Sequence, residues 1–155
     1  MNRLFIIGSF ILLLLAFTGT SLIPKNDTVN TVFEMPLQTI SIGSAVINVA
    51  IADNQKTRRK GLSGLPSLPL DSGLFFVFRD SGKHGIWMKD MKFPIDIIWL
   101  NEQLQVIDIH QNISQDTYPE TFRPRIPAKF VLEVDAGFSL KYDVKVGSVL
   151  SWRAL

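Results

Sequence analysis

The sequence predicts a mainly β fold, either a jelly-roll-like sandwich or a partly closed barrel with one short helix, preceded by an N-terminal hydrophobic helix. From Gln38 onward, short runs of β-branched and aromatic residues recur, and Gly, Pro or Asn separates them. The apolar run at the start of the chain predicts the hydrophobic helix. A length of 155 residues with 46% hydrophobic residues allows one globular domain and excludes wholesale disorder.

Charge and cysteine content exclude several classes of protein. The net charge of +2 is too small for a dedicated nucleic-acid binder, which concentrates Lys and Arg on one face. The chain has no cysteine, so disulfides, thiol nucleophiles and cysteine-ligated zinc are excluded. His84 and His110 have no partner at ligand spacing, so we expect neither a metal site nor a cofactor. Sequence signatures of serine hydrolases, zinc proteases and nucleotide-binding loops are also missing.

Residues 1–23 have the composition of an export signal. Arg3 precedes the stretch 4–23, which is almost entirely apolar or small. This stretch is about 20 residues long, which is enough to cross a bilayer as an uncleaved helix. We therefore predict a cleaved signal peptide or an N-terminal membrane anchor, and the positive-inside rule places the remainder outside the cytoplasm. We predict that residues 24–36 form a tether and that residues 37–155 form the all-β domain.

The first predicted elements of the domain are a hairpin and a buried strand. Thr39–Ile42 and Val46–Ile51 have alternating polar and apolar residues, and Gly43-Ser44 between them favours a two-residue type II′ turn. Further along, the continuous apolar run Leu74–Phe78 is typical of a strand that is covered on both faces.

A short helix is predicted between these strands. Asp53 is a candidate N-cap for a helix over Asn54–Lys60, and Gly61 is a suitable residue to end it. The helix has almost no apolar stripe of its own. We therefore expect it to dock through Leu62 and Leu65, which follow it in the chain.

The sequence of the second half of the domain predicts another hairpin and a long loop. Ile86–Met91 and Ile95–Leu100 would pair around Lys92-Phe93-Pro94, because Pro94 cannot lie inside a central strand. Residues 112–129 contain three prolines and no periodicity, which predicts a loop. Further strands are predicted over Gln103–Ile109, Phe130–Asp135 and Val149–Arg153.

Four motifs in order resemble those of a known family. They are Arg58-x-x-Gly61-Leu62-Ser63-Gly64, Gly73–Phe78, Trp87–Ile97 and Val131–Gly137. Over residues 38–152 the chain resembles the domain-of-unknown-function 192 family, a set of small, mostly bacterial and archaeal domains. The resemblance implies an all-β, jelly-roll-like domain with one short helix, often behind an export signal. It implies no established biochemical activity.

Charged residues within apolar strands are the candidates for a site. Asp96 lies between Ile95 and Ile97, where an ionised carboxylate is costly to bury unless it is paired or hydrogen-bonded. A four-residue hairpin loop would pair Lys89 with Asp96, whereas a three-residue loop would set Asp90 opposite Asp96. The sequence leaves this register open. It also leaves open whether these residues form a ligand site or only stabilise the hairpin.

Glu133 is the second candidate carboxylate. It alternates with Leu132 and Val134, which predicts a carboxylate on the rim of the domain beside Arg58 or Lys89. The aromatic residues near the hairpin, which favour either core packing or a sugar-stacking groove, are Trp87, Trp99 and Phe93. The predicted ligand-binding residues are Arg58, Trp87, Lys89, Asp96 and Glu133.

These residues favour a non-catalytic ligand-binding or accessory module of the cell envelope, with an unknown small molecule or envelope component as its ligand. The alternative is a hydrolase-like enzyme acting on envelope sugars or polymers. That enzyme would use Asp96 and Glu133 as an acid–base pair, with their carboxyl groups roughly 5–10 Å apart. A third possibility is an interaction module that uses the loop 112–129. The sequence does not indicate an oligomeric state.

Overall fold

The computed structural model describes residues 36–153, so the predictions for residues 1–23 and 24–35 lie outside the described residues. The described part is mainly β, with a curled half-barrel sheet. Its strands are β1 (Gln38–Ile42), β2 (Ala45–Ala52), β3 (Ser72–Gly82), β4 (Ile86–Trp87), β5 (Ile95–Leu100), β6 (Val106–Ile113), β7 (Thr121–Phe122), β8 (Ala128–Asp135) and β9 (Ser151–Trp152). Its helices are α1 (Gln55–Lys60), the single turn α2 (Phe138–Lys141) and a 3-10 turn over Gln115–Thr117. Over residues 36–153, no helix has the length and apolarity needed to cross a membrane.

Seven strands form the main sheet, in the order β6-β5-β8-β3-β2-β1-β9, and β4 pairs separately with β7. The C-terminal segment connects the two edges of this sheet. Leu150 N–H donates to the Leu104 carbonyl beside β6, at 2.9 Å, while β9 pairs with β1. A single curled sheet of this kind corresponds to the partly closed barrel of the prediction rather than to two sheets packed face to face.

Both faces of the sheet are buried. One face contributes a core that draws on both edges of the sheet and on α2. Its largest members include Ile40, Ile47, Phe75, Ile98, Leu132, Val134, Phe138 and Leu150. The other face is covered by the segment after α1 and by β4 and its following turn, and includes Leu62, Leu65, Phe76, Met88, Met91, Ile97, Trp99 and Val131. All six residues of β5 are therefore buried.

The first predicted hairpin is confirmed. Ile42 pairs with Ala45, so Gly43-Ser44 forms the two-residue turn between β1 and β2. Gly43 has φ +56°, and a Cβ at this position would lie 2.2 Å from the Tyr142 carbonyl oxygen. Only glycine combines this backbone conformation with such a close approach.

The second predicted hairpin is wrong. β5 pairs with β6 and β8, whereas β4 ends at Trp87 and pairs with β7, which lies inside the predicted loop 112–129. The chain turns after β4, because Asp90 has φ +57° and Met91 N–H donates to the Met88 carbonyl. Met88 and Met91 are both buried on one face, a spacing of three that fits a turn rather than an extended strand.

A parallel pair of strands positions the helix. β2 and β3 are parallel, with Val49 opposite Gly73, and parallel neighbours require a crossover connection. Residues 53–71 form this crossover and carry α1 over the second face of the sheet. The sequence pattern predicted the helix but gave no sign of the parallel pairing.

Candidate functional site

One wall of the candidate site is α1 with the turn that follows it. The N-cap is Asn54 rather than the predicted Asp53, because the Asn54 side chain accepts the Thr57 N–H and the Thr57 hydroxyl accepts the Asn54 N–H in return. The chain turns away from the helix at Gly61, which has φ +51°. The predicted docking of this segment is confirmed, since Leu62 and Leu65 are 1% and 3% exposed.

The opposite wall is the segment from Trp87 to Asp90. Two hydrogen bonds hold it against the turn after α1. The Ser63 hydroxyl donates to the Lys89 carbonyl oxygen at 2.7 Å, and Gly64 N–H donates to the Asp90 carbonyl oxygen at 2.9 Å. The separation of the two walls is therefore set by bonds to the backbone.

An open depression, here called the outer cleft, lies between these walls. Its volume is about 1050 Å³. It is lined by Asn54, Gln55, Lys56, Thr57, Arg59, Lys60, Ser63, Leu74, Trp87, Lys89 and Asp90. Four of these side chains are cationic and one is a carboxylate, so among the described residues the lining has an excess of three positive charges. Such a lining favours anions.

A much smaller space of about 50 Å³, here called the inner cavity, lies next to the outer cleft. It is lined by Arg58, Arg59, Lys60, Gly61, Leu62, Ser63, Phe76, Gly85, Ile86, Trp87, Met91 and Glu133. Arg59, Lys60, Ser63 and Trp87 line both spaces, so the inner cavity adjoins the outer cleft. Glu133 is the only carboxylate of the described residues that lines the inner cavity.

Glu133 is a buried acid without a partner. Its neighbours across the sheet are Leu74 on β3 and Ile97 on β5, both apolar. The side chain is 4% exposed, and no hydrogen bond or ion pair within residues 36–153 engages its carboxyl group. Burial raises the pKa of the Glu133 carboxyl to about 8. The sequence predicted a rim carboxylate at this position, whereas the structure buries it in the lining of the inner cavity.

Arg58 lies beside Glu133 without neutralising it. Its Nη1 donates to the Val77 carbonyl oxygen at 2.9 Å, and its guanidinium lies 5.2 Å from the centre of the Phe78 ring. His84 stacks on Phe78 at 3.6 Å between ring centres. The Arg58 side chain is thus held by the backbone and an aromatic ring, and it supports one side of the inner cavity.

Trp87 forms an exposed aromatic surface at the mouth of the site. It is 47% exposed and lines both spaces. The Tyr118 ring packs against it in a T-shaped arrangement, with ring centres 6.1 Å apart and an interplanar angle of 71°. Trp99, in contrast, is fully buried and donates its indole N–H to the His84 carbonyl oxygen. Of the two tryptophans considered for a stacking groove, only Trp87 is accessible.

Comparison with known families decides where this chain belongs. The family model DUF192, described as an uncharacterized ACR, matches residues 37–152. The chain belongs to the DUF192 family. The resemblance predicted from its four motifs is therefore confirmed. No curated protein matches the sequence of this DUF192 domain.

Two solved structures are similar to the DUF192 domain. A proposed transcription regulator from Sinorhizobium meliloti 1021 is 23% identical, with a TM-score of 0.71, and the alignment covers 76% of this chain and 95% of that one. A protein of unknown function from Novosphingobium aromaticivorans DSM 12444 is 22% identical, with a TM-score of 0.72, covering 80% and 91%. At this level of identity, the similarity establishes the fold.

Asp96 lies away from the cleft of the DUF192 domain. Because Ile97 is opposite Glu133 in the sheet, Asp96 and Glu133 point to opposite faces. The Asp96 side chain is fully buried, and its carboxylate accepts N–H groups from Asn112 at 2.8 Å, Gly137 at 3.1 Å and Ser139 at 2.8 Å. An acid–base pair of Asp96 and Glu133 is therefore not favoured, because the two carboxyl groups share no cleft.

The five predicted residues thus divide into two groups. Arg58, Trp87 and Glu133 line the inner cavity, and Lys89 lines the adjoining outer cleft, where its side chain is exposed. Asp96 alone lies elsewhere. Neither of the two pairings considered for Asp96, with Lys89 or with Asp90, forms, because the turn that carries Lys89 and Asp90 does not pair with β5.

Sequence reasoning missed Asp108 in the DUF192 domain. Burial alone would raise the pKa of the Asp108 carboxyl, but hydrogen bonds and charge from Arg125, with a bond from Ile109 N–H, outweigh it and lower the pKa. The Arg125 Nη2 lies 3.0 Å from Asp108 Oδ1, which fixes the loop 112–129 to β6. A lone polar residue in an alternating strand gave no signal for this role. Within residues 36–153, no three His, Asp or Glu side chains are arranged to hold a metal ion.

Proposed function

We propose that this domain is a non-catalytic binding module for a small anionic molecule, with the outer cleft and inner cavity as its site. The observation that carries the proposal is the position of Glu133, a buried carboxyl group that has no partner among the described residues and lines the inner cavity beside a cation-lined cleft. Burying such a group is unfavourable for folding unless something engages it. Perturbed acids in clefts are concentrated at functional sites.

The walls of the cleft support a preformed site. The bonds from Ser63 and Gly64 fix its width, and the bond from Arg58 to Val77 fixes one side of the inner cavity. The described part of the chain provides no nucleophile and base in contact there. A site with positioned cations, an aromatic surface and a buried acid can bind and orient a ligand without a reaction.

Anion binding is testable with small probes and charge reversal. We expect pyrophosphate, benzoate or D-glucuronate to bind the full-length chain, measured by isothermal titration calorimetry, more weakly as salt increases. Arg59→Glu and Lys89→Glu should each weaken binding about tenfold, because each replaces an attractive charge with a repulsive one. Arg153→Glu is the matched control, since its exposed side chain follows β9 and lies outside the cleft lining. The proposal fails if no probe binds, or if Arg153→Glu weakens binding as much as the cleft variants.

We further propose that the domain functions outside the cytoplasm, held at the membrane by residues 4–23 or released after cleavage. The order of Arg3, an apolar stretch and small residues supports this placement. An alkaline phosphatase fused after Leu155 should be active in a bacterial host, because that enzyme folds only after export. An inactive fusion of normal abundance would contradict the placement.

A further inference from the structure

The two spaces of the site differ in what they can hold. The inner cavity, at about 50 Å³, has room for one functional group, since one water molecule occupies about 30 Å³ in the liquid. The outer cleft, at about 1050 Å³, has room for a ring or a short chain of rings. A ligand that fills both therefore has a ring-sized body with one small polar group projecting inward.

The projecting group has to form a hydrogen bond with the carboxyl group of Glu133. Arg58 Nη1 donates to the Val77 carbonyl oxygen, and Glu133 makes no side-chain hydrogen bond among the described residues, so the carboxyl and the remaining Arg58 N–H groups are both available to a group in the cavity. A neutral carboxyl donates a hydrogen bond to a hydroxyl or carbonyl oxygen, whereas a carboxylate would attract an amine. The cations around the outer cleft repel an amine, so the charge of the site favours an oxygen on an anionic ligand.

The aromatic surface at the mouth favours a saturated ring with polar edges. Trp87 and Tyr118 are each 47% exposed and meet in a T-shaped arrangement, so part of the indole surface stays available. Such a surface packs against the C–H face of a sugar ring while the hydroxyl groups of the ring remain at its edge. The cations Arg59 and Lys89 line the same cleft and suit a carboxylate or phosphate on that ring.

We infer that the site binds acidic sugars, with the ring on Trp87, the anionic group among the cations of the outer cleft, and the protonated carboxyl of Glu133 donating a hydrogen bond to a sugar oxygen in the inner cavity. This inference rests on the proposed function and specifies its ligand class. Binding is then linked to protonation of Glu133, because the ionised carboxylate cannot donate that bond and repels the anion.

Other charged groups lie around Glu133 and can contribute to a pH dependence. β3, β5 and β4 present apolar or aromatic side chains to it. The titratable and charged groups on its own strand, on α1 and on the opposite wall are Lys129, Asp135, Lys56, Arg58, Arg59, Lys60, Lys89 and Asp90. Comparison of wild type with Glu133→Gln separates the contribution of Glu133, since all of these groups are retained in the variant.

The test measures D-glucuronate, D-glucose and D-glucosamine binding to the full-length chain by calorimetry between pH 6 and 9.5. D-Glucuronate should bind at least about tenfold more tightly than D-glucose at pH 6. Its affinity should fall by up to about tenfold per pH unit above pH 8, where Glu133 loses its proton. Glu133→Gln, which still donates a hydrogen bond, should bind within about threefold of wild type and lose this pH dependence. Glu133→Ala should bind about tenfold more weakly.

Three results would overturn the inference. They are equal affinity for D-glucose and D-glucuronate, tighter binding of D-glucosamine than of D-glucuronate at pH 6, and a wild-type pH profile that Glu133→Gln reproduces. Thermal melting of each variant shows whether it is folded, and Glu133→Gln keeps the test valid if Glu133→Ala is not. Binding of pyrophosphate or benzoate without D-glucuronate would reject the sugar and leave the proposed anion site standing.

Discussion

Replacing Asp96 with Ala should lower the free energy of unfolding by about 3–5 kcal/mol. The Asp96 carboxylate accepts three backbone N–H groups, from Asn112, Gly137 and Ser139. Without it, all three donors lose their partner, and the Ser139 N–H is left unpaired in the buried interior, where this is costly. Urea denaturation followed by circular dichroism measures the loss. Ligand binding, where the variant is folded, should be unchanged, because Asp96 faces away from the cleft.

Asp80→Ala is the matched control for this prediction. Asp80 is an exposed carboxylate on β3 whose side chain makes none of the hydrogen bonds of the described residues. Its replacement should change stability by less than about 0.5 kcal/mol. Asp96→Asn should lie between the two, since the amide keeps one acceptor oxygen but loses the charge. An Asp96→Ala loss below about 1 kcal/mol would show that the carboxylate does not hold these three segments together.

Replacing Glu133 with Gln should stabilise the domain at alkaline pH. The pKa of Glu133 is raised from 4.5 to about 8 by burial, so between these values the folded state binds more protons than the unfolded state. Stability then falls as pH rises through this range and stays low above it. This pKa shift lowers the free energy of unfolding by an amount on the order of 5 kcal/mol above pH 8. The Gln side chain does not ionise, so the variant avoids this loss. Chemical denaturation of both proteins at pH 5, 7 and 9 should show a difference that grows with pH.

Asp135→Asn is the control for this pH effect. Burial also raises the pKa of Asp135, which lies on the same face of β8 but is exposed. The contribution of Asp135 to the pH dependence of stability therefore has the same sign as that of Glu133 and should be smaller. Equal stabilisation by Asp135→Asn and Glu133→Gln would mean that the pH dependence belongs to the strand end and not to the cavity. A natural sequence that keeps a destabilising acid fits a group retained for binding.

Local patterns predicted much of the fold. Gly43-Ser44 identified the first hairpin, and the unbroken apolar run of β3 identified a strand buried on both faces. Both predictions succeeded because a tight turn and a buried strand are each recognised from residues that are adjacent in sequence. The prediction of the second hairpin was wrong because β4 pairs with β7, and β5 pairs with β6 and β8, rather than with each other. β5 lies between β6 and β8, and only the tertiary arrangement determines this choice.

Local patterns also identified part of the lining of the candidate site. Arg58, Trp87, Lys89 and Glu133 were identified as charged or aromatic residues in unusual surroundings, and all four line the connected spaces. The sequence could not show that Asp96 points to the other face, since that depends on its pairing with Val134. Nor could it show the burial of Glu133, because alternation identifies the two faces of a strand without telling which of them is covered.

The most direct test is a titration of the Glu133 side-chain carboxyl carbon by ¹³C NMR, assigned by comparison with Glu133→Gln. A midpoint at about pH 8 in the free protein, moving upward with bound D-glucuronate, is the predicted result. A midpoint near the ordinary value of 4.5 would mean that the carboxyl is solvated or paired, and would contradict the assignment of a buried acid to the inner cavity.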